Sequence, residues 1–221
     1  MRRFIAPLIM LAVGTVQCGT GRGTDDHAAM ARAVEPPYQA RFAARTRGTG
    51  VVTVYELFDF QCPFCREFTL RTFPAVDSAY VQTGKIRWVV INNPIERHAN
   101  AEHVAELMVC AGRAGRFWEL SARVLAEQAR WSELERPDSV LYALVSAVGI
   151  DSTALTQCLQ SGAGRAEVRA DAAFLAAMGM QREGVPIFLV SGRKVAQGAQ
   201  PFSTIRRVLD SLLAAHPRAA S

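Results

Sequence analysis

No internal repeat and no long low-complexity tract interrupts this chain, so a repeat architecture is not indicated. A large excess of one charge is also missing. Twenty-five basic residues face twenty acidic ones, a formal charge of +5. Arg2 and Arg3 lie in a targeting-like segment, and without them the charge falls to about +3. The remaining arginines are scattered as on a solvated surface, so nucleic acid is not an expected partner. Histidine is scarce. His27, His98, His103 and His216 form no constellation and read as surface or capping residues. Cysteine is limited to five, and none has zinc-like pair spacing with His103 or Cys110, so no metal and no cofactor is expected. At 221 residues, half of them hydrophobic, the chain can bury a core without disulfides.

One long apolar run opens the chain. Met1-Arg2-Arg3 and then Phe4 to Val16 read as a secretory signal over 1–18, short for a membrane span. Small residues follow near Cys18-Gly19-Thr20. Cys18 keeps open a lipid-modified N-terminus, although Gln17 sits where Gly, Ala or Ser is usual in a lipobox. Export implies an oxidising, extracytoplasmic (periplasmic) compartment. Once Cys18 is set aside, Cys62, Cys65, Cys110 and Cys158 remain, an even number that suits two pairs. Residues 19–50 are rich in Gly, Ala, Arg and Pro and read as a linker, with a short helix around Tyr38 to Arg45.

The central feature is Cys62-Pro63-Phe64-Cys65 at the end of the apolar run Val51 to Phe60. A strand that stops at C-x-x-C and continues as a helix places the first cysteine at a helix N-terminus. Orphan backbone N–H groups and the helix dipole there stabilise a thiolate, the species that attacks disulfides. Pro63 suits the first helical turn. Cys62 is therefore the expected nucleophile with an exposed sulfur, and Cys65 its buried partner. An inert disulfide or a zinc knuckle is the bland alternative. Glu56 shares a strand face with Val52, Val54, Phe58 and Phe60, so its carboxyl should be buried with a raised pKa. Asp59 lies on the other face and reads as structural or exposed.

A helix is expected from Pro63 to Gln82, kinked or broken at Pro74. Ile86 to Ile91 reads as the next strand, giving a parallel β-α-β unit. Residues 96–180 carry helical stripes: Val104, Leu107, Met108 and Ala111; Phe117, Leu120, Val124 and Leu125; Leu141 and Val145. Asp151 or Ser152 can cap a helix bearing Leu155 and Cys158. Pro186 to Val190 returns to strand, Ser191-Gly192 turns it, and a helix follows Pro201.

This layout, with Phe58-Asp59-Phe60-Gln61-Cys62-Pro63-Phe64-Cys65, Gly184-Val185-Pro186-Ile187-Phe188 and Gly198-Ala199-Gln200-Pro201-Phe202, resembles the DsbA-like family of exported thiol–disulfide oxidoreductases. The resemblance implies an α/β thioredoxin fold over 51–95 and 181–215, with an inserted helical domain at 96–180. It implies that Glu56 exchanges a proton with Cys65 and that Pro186 is a cis-proline beside the dithiol. Val185 would then offer its backbone to an extended client, with Pro63 and Phe64 lining the same site. It also implies a structural disulfide between Cys110 and Cys158, against two free thiols. The expected partners are unfolded or reduced exported proteins and a membrane redox partner. Two departures stand out: Val185 replaces the usual Thr, and Phe64 replaces the His of the best-known members. A reductase or isomerase using the same dithiol is an alternative. Isomerases of this fold usually carry a preceding dimerisation domain, and only about thirty residues separate the signal from Val51. A non-redox chaperone or binding module is the alternative of another class.

Overall fold

The computed structural model describes residues 37–180 and 183–216. The expected signal segment, Cys18 and His27 therefore lie outside the described residues. The chain opens on α1 (Pro37–Phe42), a 3-10 turn (Ala43–Arg45) and the two-residue strand β1 (Thr46–Arg47). The short helix expected around Tyr38 to Arg45 is present as α1 and the 3-10 turn, and with β1 it ties the end of the expected linker into the fold. Phe42 and Arg45 are buried, and β1 pairs antiparallel with β3 (Ile86–Asn92).

β2 (Val52–Phe58) is the central strand because both its faces are apolar. It runs parallel to β3, from Val52 opposite Ile86 to Phe58 opposite Asn92. On its other side it pairs antiparallel with β4 (Ile187–Val190), which forms a hairpin with β5 (Arg193–Gln197). The sheet order is β1-β3-β2-β4-β5. The C-terminal end of β2, and with it the dithiol, thus sits mid-sheet. The hairpin turn is Ser191-Gly192, both with positive φ (48° and 73°), which is the conformation a two-residue turn requires.

The helix after the dithiol is not broken at Pro74. α2 (Pro63–Glu67) passes into a π-helical turn at Phe68–Thr72, then α3 (Phe73–Val76) and a second π-turn at Asp77–Val81. Proline lacks an N–H and its ring collides with the carbonyl one turn back. A wider turn just before Pro74 relieves both conflicts while the axis continues.

Six helices follow: α4 (Ala101–Arg113), α5 (Phe117–Ala126), α6 (Gln128–Trp131), α7 (Asp138–Ala147), α8 (Ser152–Gln160) and α9 (Ala163–Ala177). The stripes read from the sequence are their buried faces; Val104, Leu107, Leu120, Val124, Leu141 and Val145 are fully enclosed. Asp151 caps α8, accepting a hydrogen bond from Ala154 N at 2.7 Å. α10 (Phe202–Ala215) closes the chain with Ile205 and Leu209 inward. One continuous cluster of buried side chains runs from Val54 and Trp88 in the sheet through Leu107 and Trp131 in the helices. The helical segment and the sheet therefore share a core.

A buried ion cluster fastens the two parts. Arg45 donates to Asp171 of α9 and, at 2.8 Å, to Glu167. Asp171 also accepts from Asn92 N and Asn92 Nδ2 at 3.1 and 2.9 Å. Arg45 is only 1% exposed, so the reading of every arginine as solvated fails here. A guanidinium can be buried when a carboxylate neutralises it and occupies its fork of donors.

Candidate functional site

Cys62 occupies the N-cap of the active-site helix in extended conformation, with Pro63 at the first helical position. Its carbonyl already accepts from Arg66 N at 3.1 Å. The chain thus turns from strand to helix within Asp59–Cys62, where Cys62 N donates to Asp59 O at 3.1 Å. Cys62 and Cys65 are both free thiols. The Cys62 thiol is lowered from 9.0 to about 6. The first cause is a hydrogen bond from the Cys65 thiol; the backbone N–H groups of Cys65 and Phe64 add to it, against desolvation and the Asp59 charge. Cys65 moves the other way, well above 9.0, chiefly because it is fully enclosed. The pair is therefore split into a ready thiolate and a retained thiol.

One expectation is corrected. Cys62 is not an open sulfur: the residue is 2% exposed. Its thiol lies 3.5 Å from the Val185 carbonyl oxygen, which accepts from it. Val185 and Pro186 are buried beside it, and the peptide bond between them is cis. The Pro186 carbonyl is occupied by Gly198 N at 2.8 Å. Pro63 and Phe64 lie on the surface, and Phe64 is 57% exposed, an unusual position for a phenyl ring.

Glu56 is 3% exposed, as its strand face requires. Trp88 Nε1 donates to Glu56 Oε2 at 2.9 Å, while Oε1 has no hydrogen-bond partner. Burial pushes its pKa from 4.5 to about 8, only partly offset by the Trp88 bond. The Glu56 charge in turn helps raise Cys65, which places the two groups within electrostatic reach.

Several residues that hold the site gave no sequence signal. Asp59 is buried and accepts from Gln61 N at 2.7 Å and Ile95 N at 2.8 Å. It also pairs with His98 Nδ1 at 2.7 Å, so His98 is a partner of the active-site loop and not merely a surface residue. Gln61 Nε2 donates to Ser132 O, and Gln61 Oε1 accepts from Asn100 N, each at 2.7 Å. Gln128 Nε2 donates to Phe60 O and Cys62 O at 2.7 and 3.2 Å. Arg66 Nε donates to Leu125 O at 2.9 Å. The helical segment thereby holds the backbone at Phe60 and Cys62. Cys110 of α4 and Cys158 of α8 are joined by a disulfide, Cα–Cα 5.8 Å.

Residues 49–211 match the family model described as Thioredoxin. The chain is 29% identical over 162 residues to a Rickettsia conorii protein named as a provisional protein-disulfide oxidoreductase, which covers 73% of this chain and 57% of that one. It is 33% identical over 144 residues to a Na(+)/H(+) antiporter NhaA 3 of Salinispora tropica, covering 65% of this chain and 20% of the antiporter. The chain therefore spans about a fifth and somewhat over half of these relatives' lengths. Among solved structures, alpha-DsbA1 of Wolbachia pipientis superposes with a TM-score of 0.67 at 17% identity, over 77% of this chain and 91% of that one. Sheet order, dithiol position and family match agree: the chain belongs to the thioredoxin family and has the fold of its DsbA-like members.

Proposed function

We propose that this chain is a protein dithiol–disulfide oxidoreductase that donates disulfides to exported proteins. The observation that carries the reading is the split pair, with Cys62 lowered to about 6 beside Cys65 held well above 9.0. In the oxidised enzyme a client thiolate attacks Cys62 Sγ. The Cys62–Cys65 bond breaks, and its electron pair leaves on Cys65, which takes a proton from the buried Glu56 carboxyl. A second client thiolate then attacks the client sulfur of the mixed disulfide and expels Cys62. Its low pKa makes it a good leaving group. Two client thiols become a disulfide, and the enzyme keeps the two electrons as a dithiol. A membrane partner bearing its own disulfide would take them back.

The client's backbone is read at Val185, whose carbonyl has no Cys62 thiol to accept from in the oxidised enzyme and in the mixed disulfide. Phe64 supplies an apolar contact at the rim that does not depend on client sequence. The action is placed outside the cytoplasm, where disulfides persist; among the described residues no helix is long and apolar enough to cross a membrane.

The same thiolate supports the donor direction. Lowering Cys62 from 9.0 to about 6 favours the reduced form by roughly 1 kcal/mol at pH 7. That raises the potential by roughly 20–30 mV above an unperturbed dithiol. The test is the reduction potential of the Cys62–Cys65 pair titrated against glutathione, with the Cys110–Cys158 bond followed separately. A value above that of thioredoxin by a few tens of millivolts is expected. A thioredoxin-like or lower value would reverse the direction, making the enzyme a reductase. A pair that does not titrate would leave only a binding module.

A further inference from the structure

Asp59 follows β2 directly, three residues before the nucleophile, and it is buried. Different segments hold its two carboxylate oxygens. Oδ1 accepts from Gln61 N at 2.7 Å, the amide just before Cys62. Oδ2 accepts from Ile95 N at 2.8 Å and meets His98 Nδ1 at 2.7 Å, both on the loop after β3. A carboxylate only accepts, so Nδ1 carries the hydrogen of that bond. The loop is itself braced: His98 N donates to Ile95 O at 2.8 Å, and Ala101 N at the start of α4 donates to His98 O at 3.0 Å. Asp59 also bears on both cysteines. Its charge opposes the Cys62 thiolate, and its backbone N–H is bonded towards the Cys65 sulfur. The exchange scheme gives His98 no part, yet it leaves a buried negative charge set against its own nucleophile.

We propose that His98 is a positioning residue for the dithiol: its Nδ1–H holds the Asp59 carboxylate in place and offsets the negative charge that this group turns on the Cys62 sulfur. The assignment rests on the reading of Cys62 as the nucleophile of the exchange. A bond from N–H to a carboxylate at 2.7 Å is charge-assisted and among the stronger kinds. The positive end of the N–H dipole sits against Oδ2, the oxygen held by the β3 loop, and weakens the field that the carboxylate projects elsewhere. That matters most where little water screens it, and Cys62 is 2% exposed. The same bond fixes the turn. Asp59 O accepts from Cys62 N at 3.1 Å, so a carboxylate anchored at Oδ2 also anchors the backbone that presents the sulfur. The ring is bonded to neither sulfur and acts through Asp59 alone.

The test is the pH profile of Cys62 alkylation by iodoacetamide, read on the full chain in its dithiol state with the Cys110–Cys158 bond intact. His98→Phe keeps a ring and removes the donor. Its alkylation midpoint should rise above the wild-type value of about 6, making alkylation at pH 5 about threefold slower. His98→Asn keeps a short N–H donor without the ring and should restore the wild-type profile. Asp59→Asn removes the charge itself and should speed alkylation at pH 5 by about threefold or more. Its opposite sign keeps the test open should His98→Phe fail to fold. An unmoved midpoint in folded His98→Phe would overturn the proposal. So would equal slowing in His98→Asn, which would leave the ring a packing role only, or no acceleration in Asp59→Asn. Alkylation reads the thiolate whichever way electrons flow, so failure here is distinct from failure of the donor reading, which the reduction potential decides.

Discussion

Replacing Glu56 by Gln should make the protein more stable at neutral pH and slower at exchange. The carboxyl is 3% exposed, with a pKa raised from 4.5 to about 8. A carboxyl whose folded pKa lies above its unfolded value supports the fold fully below the unfolded pKa. That support is lost as pH rises towards the folded one. Between pH 4.5 and 7 the unfolded chain releases this proton while the native chain holds it. The difference grows by about 1.4 kcal/mol per pH unit and reaches about 3 kcal/mol at pH 7. Glutamine has the same shape, still accepts from Trp88 Nε1, and bears no proton to lose. The assay is urea denaturation of both proteins at pH 4 and pH 7, in the dithiol state with the Cys110–Cys158 bond intact. Near equality is expected at pH 4, and a gain of about 2–3 kcal/mol for Glu56→Gln at pH 7, the upper end being the full linkage value. Disulfide transfer should slow in the same variant, because in the proposed scheme Cys65 takes its proton from Glu56. A stability difference that does not change with pH would refute the reasoning.

Cys65→Ala should return the Cys62 pKa from about 6 towards 9.0, since the hydrogen bond from Cys65 is the largest cause of its lowering; the pH profile of alkylation reads this directly, and an unchanged midpoint near 6 would assign the shift to the helix N-terminus. Asp171→Ala should destabilise the fold by about 3 kcal/mol, the low end for an orphaned buried charge, because Glu167 still reaches Arg45; an unaltered urea midpoint would contradict it. Gly164→Ala should cost about 1–2 kcal/mol in spite of alanine's helix preference, since an added Cβ would stand 2.7 Å from Glu106 O and 3.3 Å from Cys110 Sγ; a raised melting temperature would show that α4 and α9 can separate at little cost.

What could be read from the sequence was local in the chain. Cys62 and Cys65 are three residues apart, and the strand before them and the helix after them announce themselves by period and by Pro63. The hairpin at Ser191-Gly192, the Asp151 cap and the helix stripes are signals of the same range. Glu56 was legible because strand parity alone puts it on an apolar face. The grip on the Cys62 loop was not legible. Gln61, Gln128 and Arg66 act across 39 to 71 residues, on backbone carbonyls and amides that any sequence supplies. Asp59 and His98 meet across 39 residues, and neither type nor spacing marks them. Arg45 looks like every other arginine until Asp171, 126 residues on, accounts for its burial. Cys62 was expected open at its helix N-terminus; the resemblance put Val185, 123 residues away, beside the dithiol, but not with its carbonyl against the sulfur.

The sheet's margins matter for a protein that would work among unfolded chains. An open strand edge is a template on which other extended chains can polymerise. Among the described residues, one margin is β1, only two residues long. The other is β5, which carries Arg193 and Lys194 and meets β4 with a shift of register between Phe188 and Leu189. Brevity, positive charge and an irregular ladder each discourage edgewise growth. A client of the proposed kind, in extended form, would thus find little purchase on either margin and would dock at the Cys62 site, and the molecule would meet such chains without becoming a seed for them.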